Sequence, residues 1–111
     1  MTKGFYNFSK YNSKKTVVDG ITFSSKKEAK RYEELKLLLQ SGDILNIELQ
    51  PKFPIIINGV KVCTYIADFK YFDNKLKDFI VEDVKGFKTP VYNLKKKLLL
   101  ATYGGINFRE I

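Results

Sequence analysis

Apolar positions recur along the chain with two different periods, and the switches between them mark its elements. Val17-Val18 and Ile21-Thr22-Phe23 flank Asp19-Gly20, a pair that tolerates the positive φ of a type I′ turn, so Thr16 to Phe23 is expected to form a short hairpin. Ala29, Tyr32, Leu35, Leu38 and Leu39 then repeat at helical spacing through about Gln40, with Ser25-Lys26-Lys27-Glu28 as a capping box and Ser41-Gly42 as the stop. Next the period shortens. Ile44 to Leu49 and Phe53 to Ile57 read as strand interrupted at Gln50-Pro51, Asn58-Gly59 makes a tight turn, and Val60 to Phe72 reads as one long strand. Asp73-Asn74 turns it, and Leu76 to Lys85 returns beside it, antiparallel. After the loop Phe87-Lys88-Thr89, Pro90 is placed to open a second helix with Val91, Leu94, Leu98 and Ala101 as its buried stripe and Lys95, Lys96 and Lys97 as a cationic face. Gly104-Gly105 ends that helix, and Ile106 to Ile111 reads as a final strand.

The order reduces to helix, three strands, helix and strand behind a small hairpin, an α/β fold with a mixed central sheet flanked by helices. No repeat or linker divides residues 16–111, which are expected to form a single domain. Residues 1–15 make a basic arm dotted with Phe5, Tyr6, Phe8 and Tyr11. Lys14 and Lys15 with those rings suit nucleic acid, and an aromatic tail folded back on its own core suits the pattern equally.

Two carboxylates interrupt runs otherwise suited to a core. Asp68 lies in Tyr65-Ile66-Ala67-Asp68-Phe69, and Asp83 in Val81-Glu82-Asp83-Val84-Lys85-Gly86. Side chains alternate across a strand, so Asp83 and Lys85 share one face and Glu82 and Val84 the other. If the two strands are neighbours, Asp68, Asp83 and Lys85 converge. That trio offers two carboxylates for a hard divalent cation and one ammonium to orient water or offset phosphate charge, the apparatus of phosphodiester hydrolysis. The same spacing also fits a solvated edge pair, with Asp68 as an inward charge that discourages edge pairing. Glu28 is accounted for locally by capping alone.

Charge and composition narrow the chemistry. Among 111 residues, 20 Lys and Arg stand against 12 Asp and Glu, a net charge of +8 that favours polyanionic partners, nucleic acid first and acidic lipid second. With 44% apolar and 14% aromatic residues the chain is globular rather than disordered. The absence of His excludes a His general base, HNH-type metal sites and Cys/His zinc sites, so a metal site here is built from oxygen. Cys63 is the single cysteine; no intrachain disulfide can form, a reducing cytoplasm fits, and the thiol reads as an apolar filler. No signal peptide or membrane-length apolar run is present, so no membrane association is expected.

The element order, with an acid on one strand, Asp-x-Lys on the next and an acid in the first helix, resembles the αβββαβ core of the PD-(D/E)xK nuclease superfamily, which includes restriction endonucleases and archaeal Holliday junction resolvases. More closely, the chain resembles a small phage and prophage family, DUF1064, assigned to that superfamily. The matching text is Val18-Asp19-Gly20-Ile21-Thr22-Phe23-Ser24-Ser25-Lys26-Lys27-Glu28-Ala29, Gln50-Pro51-Lys52-Phe53, Tyr65 to Phe69, Val81 to Gly86, and Ile106-Asn107-Phe108-Arg109-Glu110-Ile111. Ala67 stands where the superfamily's motif often has proline.

The resemblance implies a restriction-endonuclease-like core and a role for each matching residue. Asp68 takes the place of the first strand acid, Asp83 the second and Lys85 the lysine. The carbonyl of Val84 completes the metal sphere, and Glu28 matches the helix acid that resolvase-like members direct at the metal. Gln50 is either a substrate or water contact or a support of the adjoining bend. The implied activity is a Mg²⁺- or Mn²⁺-dependent DNA endonuclease of a bacterial cytoplasm. So small a chain, with no evident recognition helix, suits branched DNA, and a junction's two-fold symmetry calls for a homodimer. Lys88, Lys95, Lys96 and Lys97 would contact phosphate. The alternatives are a non-catalytic nucleic-acid binder on the same fold and a phage regulatory protein acting through host-protein contacts.

Overall fold

The computed structural model describes residues 15–111. Expectations for the arm from Phe5 to Lys14 lie outside the described residues. The hairpin forms as expected, β1 (Thr16–Val18) pairing antiparallel with β2 (Ile21–Phe23), and Asp19 and Gly20 take φ of 54° and 77°. Helix α1 (Lys26–Ser41) is capped by the Ser25 hydroxyl, which accepts the Glu28 N–H at 3.1 Å, and it ends at Gly42 with φ 84°, the left-handed conformation that glycine adopts without strain. Ala29 and Leu35 are buried, and Tyr32 and Leu38 pack beside them. Leu39 is not part of that face: it is 38% exposed, one position past the stripe.

The central sheet has the order β3-β6-β7-β8: β3 (Ile44–Leu49), β6 (Phe69–Asp73) and β7 (Asp78–Asp83) run as an antiparallel meander, and β8 (Asn107–Glu110) lies parallel to β7. A parallel neighbour requires a crossover, and α2 (Pro90–Thr102) supplies it. The strand expected from Val60 to Phe72 is two strands in two sheets. Its first part, β5 (Val60–Ile66), pairs with β4 (Lys52–Ile57) in a separate ribbon; its second part is β6. The break falls at Ala67-Asp68, where Gln50 N–H donates to the Asp68 carbonyl (3.0 Å) and Ala67 N–H to that of Pro51 (3.1 Å). Both chains leave the sheet together there, with Gln50 in the left-handed region at φ 52°. The return strand is also shorter than expected, since Asn74 to Lys77 form the turn and Lys85 lies past the strand's end. With the ribbon set aside, the sheet-building order is α1, three strands, α2, one strand.

A core lies on each side of the sheet. Phe23, Ala29, Leu35, Ile44, Phe69, Tyr71 and Ile80 fill the side of α1 and the hairpin; Ile55, Tyr65, Ala67, Val81 and Leu99 fill the side of α2 and the ribbon, with Cys63 partly buried at its margin. The register of α2 differs from the expected stripe. Val91 and Leu94 are 63% and 59% exposed and Ala101 is exposed; the inward residues are Tyr92, Leu98, Leu99 and Tyr103. Tyr103 reaches the ribbon, its hydroxyl donating to the Pro54 carbonyl at 2.8 Å and its ring meeting Phe53 edge-on. Aromatic residues that carry a hydrogen-bonding end have displaced aliphatic ones from the packed face. Leu99→Ala is therefore expected to cost about 2–5 kcal/mol in urea unfolding and Leu94→Ala less than about 0.5 kcal/mol. Equal costs would contradict this orientation. Among the described residues no helix is long and apolar enough to cross a membrane.

Candidate functional site

From Ile80 to Asp83, β7 is buried on both faces because a core packs on each side of the sheet, so each of these side chains must find a partner from one side. Ile80 and Glu82 turn toward α1, Val81 and Asp83 toward α2. The adjacent acids thus have different fates. Glu82 is fully buried and held by Arg31 through two hydrogen bonds, from Nε to Oε1 (2.8 Å) and from the guanidinium NH2 to Oε2 (2.6 Å), and by the Tyr71 hydroxyl. This is a closed structural pair, and Glu82 drives the Arg31 guanidinium pKa still higher.

Asp83, also fully buried, faces the other way and meets Asp68. Phe69 pairs with Glu82, which sets Asp68 beside the end of β7. The Asp68 N–H donates to Asp83 Oδ1 at 3.1 Å and to the Glu82 carbonyl at 3.0 Å, while the Val84 N–H donates to Asp68 Oδ2 at 2.7 Å. The Tyr65 hydroxyl donates to Asp83 Oδ2. Lys85 Nζ is 3.9 Å from Asp83 Oδ1 and lies 4.8 Å over the Tyr92 ring. The expected trio of Asp68, Asp83 and Lys85 is thus assembled at the end of β7.

Glu28 approaches from α1. It is 6% exposed and, with Asp68, Gln50, Ser24 and Lys15, lines a cleft of about 290 Å³. Its carboxylate reaches back one residue further than a standard capping box: Oε1 accepts the Ser24 N–H (3.1 Å) and hydroxyl (2.6 Å). Capping thus takes one oxygen of Glu28. Gln50 serves the bend through its backbone and also lines the cleft. Among the described residues no three metal-ligating side chains are gathered closely enough to hold a metal ion as they stand. Asp83 is directed at Tyr65, and Glu28 at Ser24.

Burial drives the electrostatics. It pushes the Asp68 carboxyl from 3.8 up to about 7; the Val84 N–H opposes this, and the charges of Glu28 and Asp83 add to it. Burial raises Asp83 too, against the hydrogen bond from Tyr65 and the charge of Lys85. A carboxyl that binds its proton more tightly in the native than in the unfolded state subtracts stability as it ionises. Metal-free protein is therefore expected to lose stability between about pH 4 and about pH 7 and to level off above. Glu110, lowered to about 2 chiefly by the Tyr92 hydroxyl, acts in the opposite direction only in more acid solution. Thermal unfolding in EDTA at about pH 5 and about pH 8 should show the lower Tm at the higher pH, and Asp68→Asn should narrow the gap. A wild-type Tm that rises over this interval would contradict the assignment.

The lysines do not act as one face. Lys88 and Lys96 each lie 3.2 Å from the Glu110 carboxylate, which also accepts the Tyr92 hydroxyl at 2.5 Å, so both are tied to one acid within the fold. Lys97 is exposed, and Lys95 lines a second cleft beside Lys85. Tyr65 and Arg31 are the site and support residues the sequence reading left out. The alternating burial of Tyr65, Ala67 and Phe69 was the available signal for Tyr65; nothing local singled out Arg31.

No curated protein and no solved structure matches the chain. A family model matches residues 8–111, which take in every described residue, and the chain belongs to that family, described as protein of unknown function, DUF1064.

Proposed function

We propose that this protein is a Mg²⁺- or Mn²⁺-dependent endodeoxyribonuclease on a PD-(D/E)xK-type core, of phage or prophage origin, acting on branched DNA. The observation that carries the reading is the meeting of Asp68 and Asp83 at the end of β7 with Lys85 Nζ 3.9 Å from Asp83. In the described residues Lys85 is the one cation paired with buried Asp83, and its charge also acts on half-buried Asp68. Burial raises both carboxyls in spite of the hydrogen bonds they accept, and a divalent cation relieves that cost. Hard oxygen donors at the mouth of a cleft fit Mg²⁺ or Mn²⁺.

Asp68 and Asp83 would hold the ion, with Glu28 through the oxygen that Ser24 leaves free and the carbonyl of Val84. The bound ion would lower the pKa of water and neutralise charge on the phosphorane. Lys85, steadied over the Tyr92 ring, presents its ammonium to the scissile phosphate and to the attacking water. Tyr65 fixes Asp83 through one oxygen. The net charge of +8 supplies affinity for DNA, and a homodimer would set two such sites on the opposed strands of a junction.

The hydrogen bonds that now satisfy Asp83 and Glu28 favour one alternative, a non-catalytic nucleic-acid binder in which these acids only support the fold. Cleavage of a labelled four-way junction beside matched linear duplex, in Mg²⁺, Mn²⁺ or EDTA, separates the two. Metal-dependent cutting of the junction, by a species that sediments as a dimer, is the expected result. Salt-sensitive binding without cutting in either metal would leave only the binder.

A further inference from the structure

A second cleft, again of about 290 Å³, has Lys85 in its lining, and the chemistry above gives no role to its Thr64, Thr89 and Lys95. Thr64, Tyr65 and Lys85 line one part, and Thr89, Tyr92 and Lys95 from the start of α2 line the other. The two clefts have opposite character. Glu28 and Asp68 face the first, whereas the second has two lysines and no carboxylate in its lining.

Lys95 is the residue that distinguishes it. Lys88 and Lys96 share the Glu110 carboxylate, but Lys95, half-buried in the cleft wall, has no carboxylate partner among the described residues. The first turn of α2 carries no acidic residue, so its positive end is likewise uncompensated. The Thr89 hydroxyl accepts the Tyr92 N–H at 3.0 Å and keeps its own proton to donate. Val91 and Ile66 add an apolar wall suited to a sugar or base. The clefts are linked through Asp83: Tyr65 and Lys85, which line the second, both meet its carboxylate, which also accepts the N–H of Asp68, a residue of the first.

We infer that this second cleft binds a phosphodiester of the substrate strand adjacent to the scissile one, with Lys95 and Thr89 as its ligands and Lys95 as a positioning residue. A strand would then cross from the acidic cleft, over Lys85, into the cationic one. The assignment of the neighbouring phosphate as scissile rests on the nuclease reading; binding in the cleft does not.

Amide chemical-shift mapping in EDTA, where no cutting occurs, tests it with three probes: inorganic phosphate, the dinucleotide pTpT and a short single-stranded oligonucleotide. The dinucleotide and oligonucleotide should shift the amides of Thr64, Thr89, Val91 and Tyr92. Lys95→Gln should weaken pTpT binding about tenfold, as expected for one charge-assisted hydrogen bond, and Lys97→Gln less than about twofold. The same spectra report whether each variant is folded. Shifts located elsewhere, or equal losses from the two variants, would reduce the cleft to diffuse surface charge and overturn the inference. Inorganic phosphate binding as tightly as pTpT would overturn the strand assignment in favour of a free-anion site. Absence of metal-dependent cleavage, measured separately, would remove the nuclease reading and leave this result standing.

Discussion

Arg31→Ala is expected to destabilise the protein by about 3–5 kcal/mol, more than any other single change on the surface of α1, because it strands a charge that has no access to water. Glu82 is completely buried, and without Arg31 its carboxylate keeps, among the described residues, only the Tyr71 hydroxyl. The reverse change is milder. Arg31 keeps 19% of its side-chain surface exposed and lies 3.1 Å from Glu34, so in Glu82→Gln the guanidinium retains both water and a second partner. About 1–3 kcal/mol is expected there. Replacing both residues with apolar ones of similar volume should recover much of the loss, since such pairs add little net stability over packed hydrocarbon. Urea unfolding of the single and double variants measures the asymmetry; an Arg31→Ala cost below that of Glu82→Gln would show that the charge is solvated in some other way. Folded Glu82→Gln should retain metal-dependent cleavage, because the Glu82 carboxylate is held by Arg31 and points to the opposite side of the sheet from Asp83.

That last expectation shows what the sequence could and could not convey. The Asp-Gly hairpin, the first helix with its Ser25 cap and Gly42 stop, and the antiparallel neighbours that carry Asp68 and Asp83 were legible because each rests on local conformational preference or strict alternation. The break at Ala67-Asp68 was not. Burial alternates without interruption through Tyr65, Ala67 and Phe69, so nothing in the period marks where the strand exchanges β4 for β3 and β7. The departure is fixed by the opposing strand at Gln50, whose left-handed φ no single-residue preference announces. The phase of α2 was misplaced because its aliphatic residues also follow helical spacing, while Tyr92 and Tyr103 gain hydrogen bonds as well as packing. Glu82 and Arg31 stand 51 residues apart in sequence, and only the packed sheet brings them together.

Asp83→Asn is expected to reduce metal-dependent junction cleavage by about 10²-fold or more while leaving the metal-free protein as stable as wild type or more so. Both halves follow from its surroundings. Burial raises the Asp83 pKa, so the charged form is held at a cost that the neutral amide avoids. Asparagine nearly preserves the shape and leaves an oxygen to accept from the Tyr65 hydroxyl or the Asp68 N–H. Alanine would not serve as well. It leaves the buried Tyr65 hydroxyl unpaired at about 1–3 kcal/mol, so lost cleavage could reflect a damaged fold. With Asn, a structural carboxylate and a metal-binding one give opposite results. A support residue would lose stability and leave a metal response intact; a ligand keeps or gains stability and loses the response. Addition of Mg²⁺ or Mn²⁺ should raise the Tm of wild type by linkage and leave that of Asp83→Asn nearly unchanged. Cleavage by folded Asp83→Asn at the wild-type rate would exclude Asp83 from the chemistry, and the burial of two acids at the end of β7 would then belong to the binding module alone.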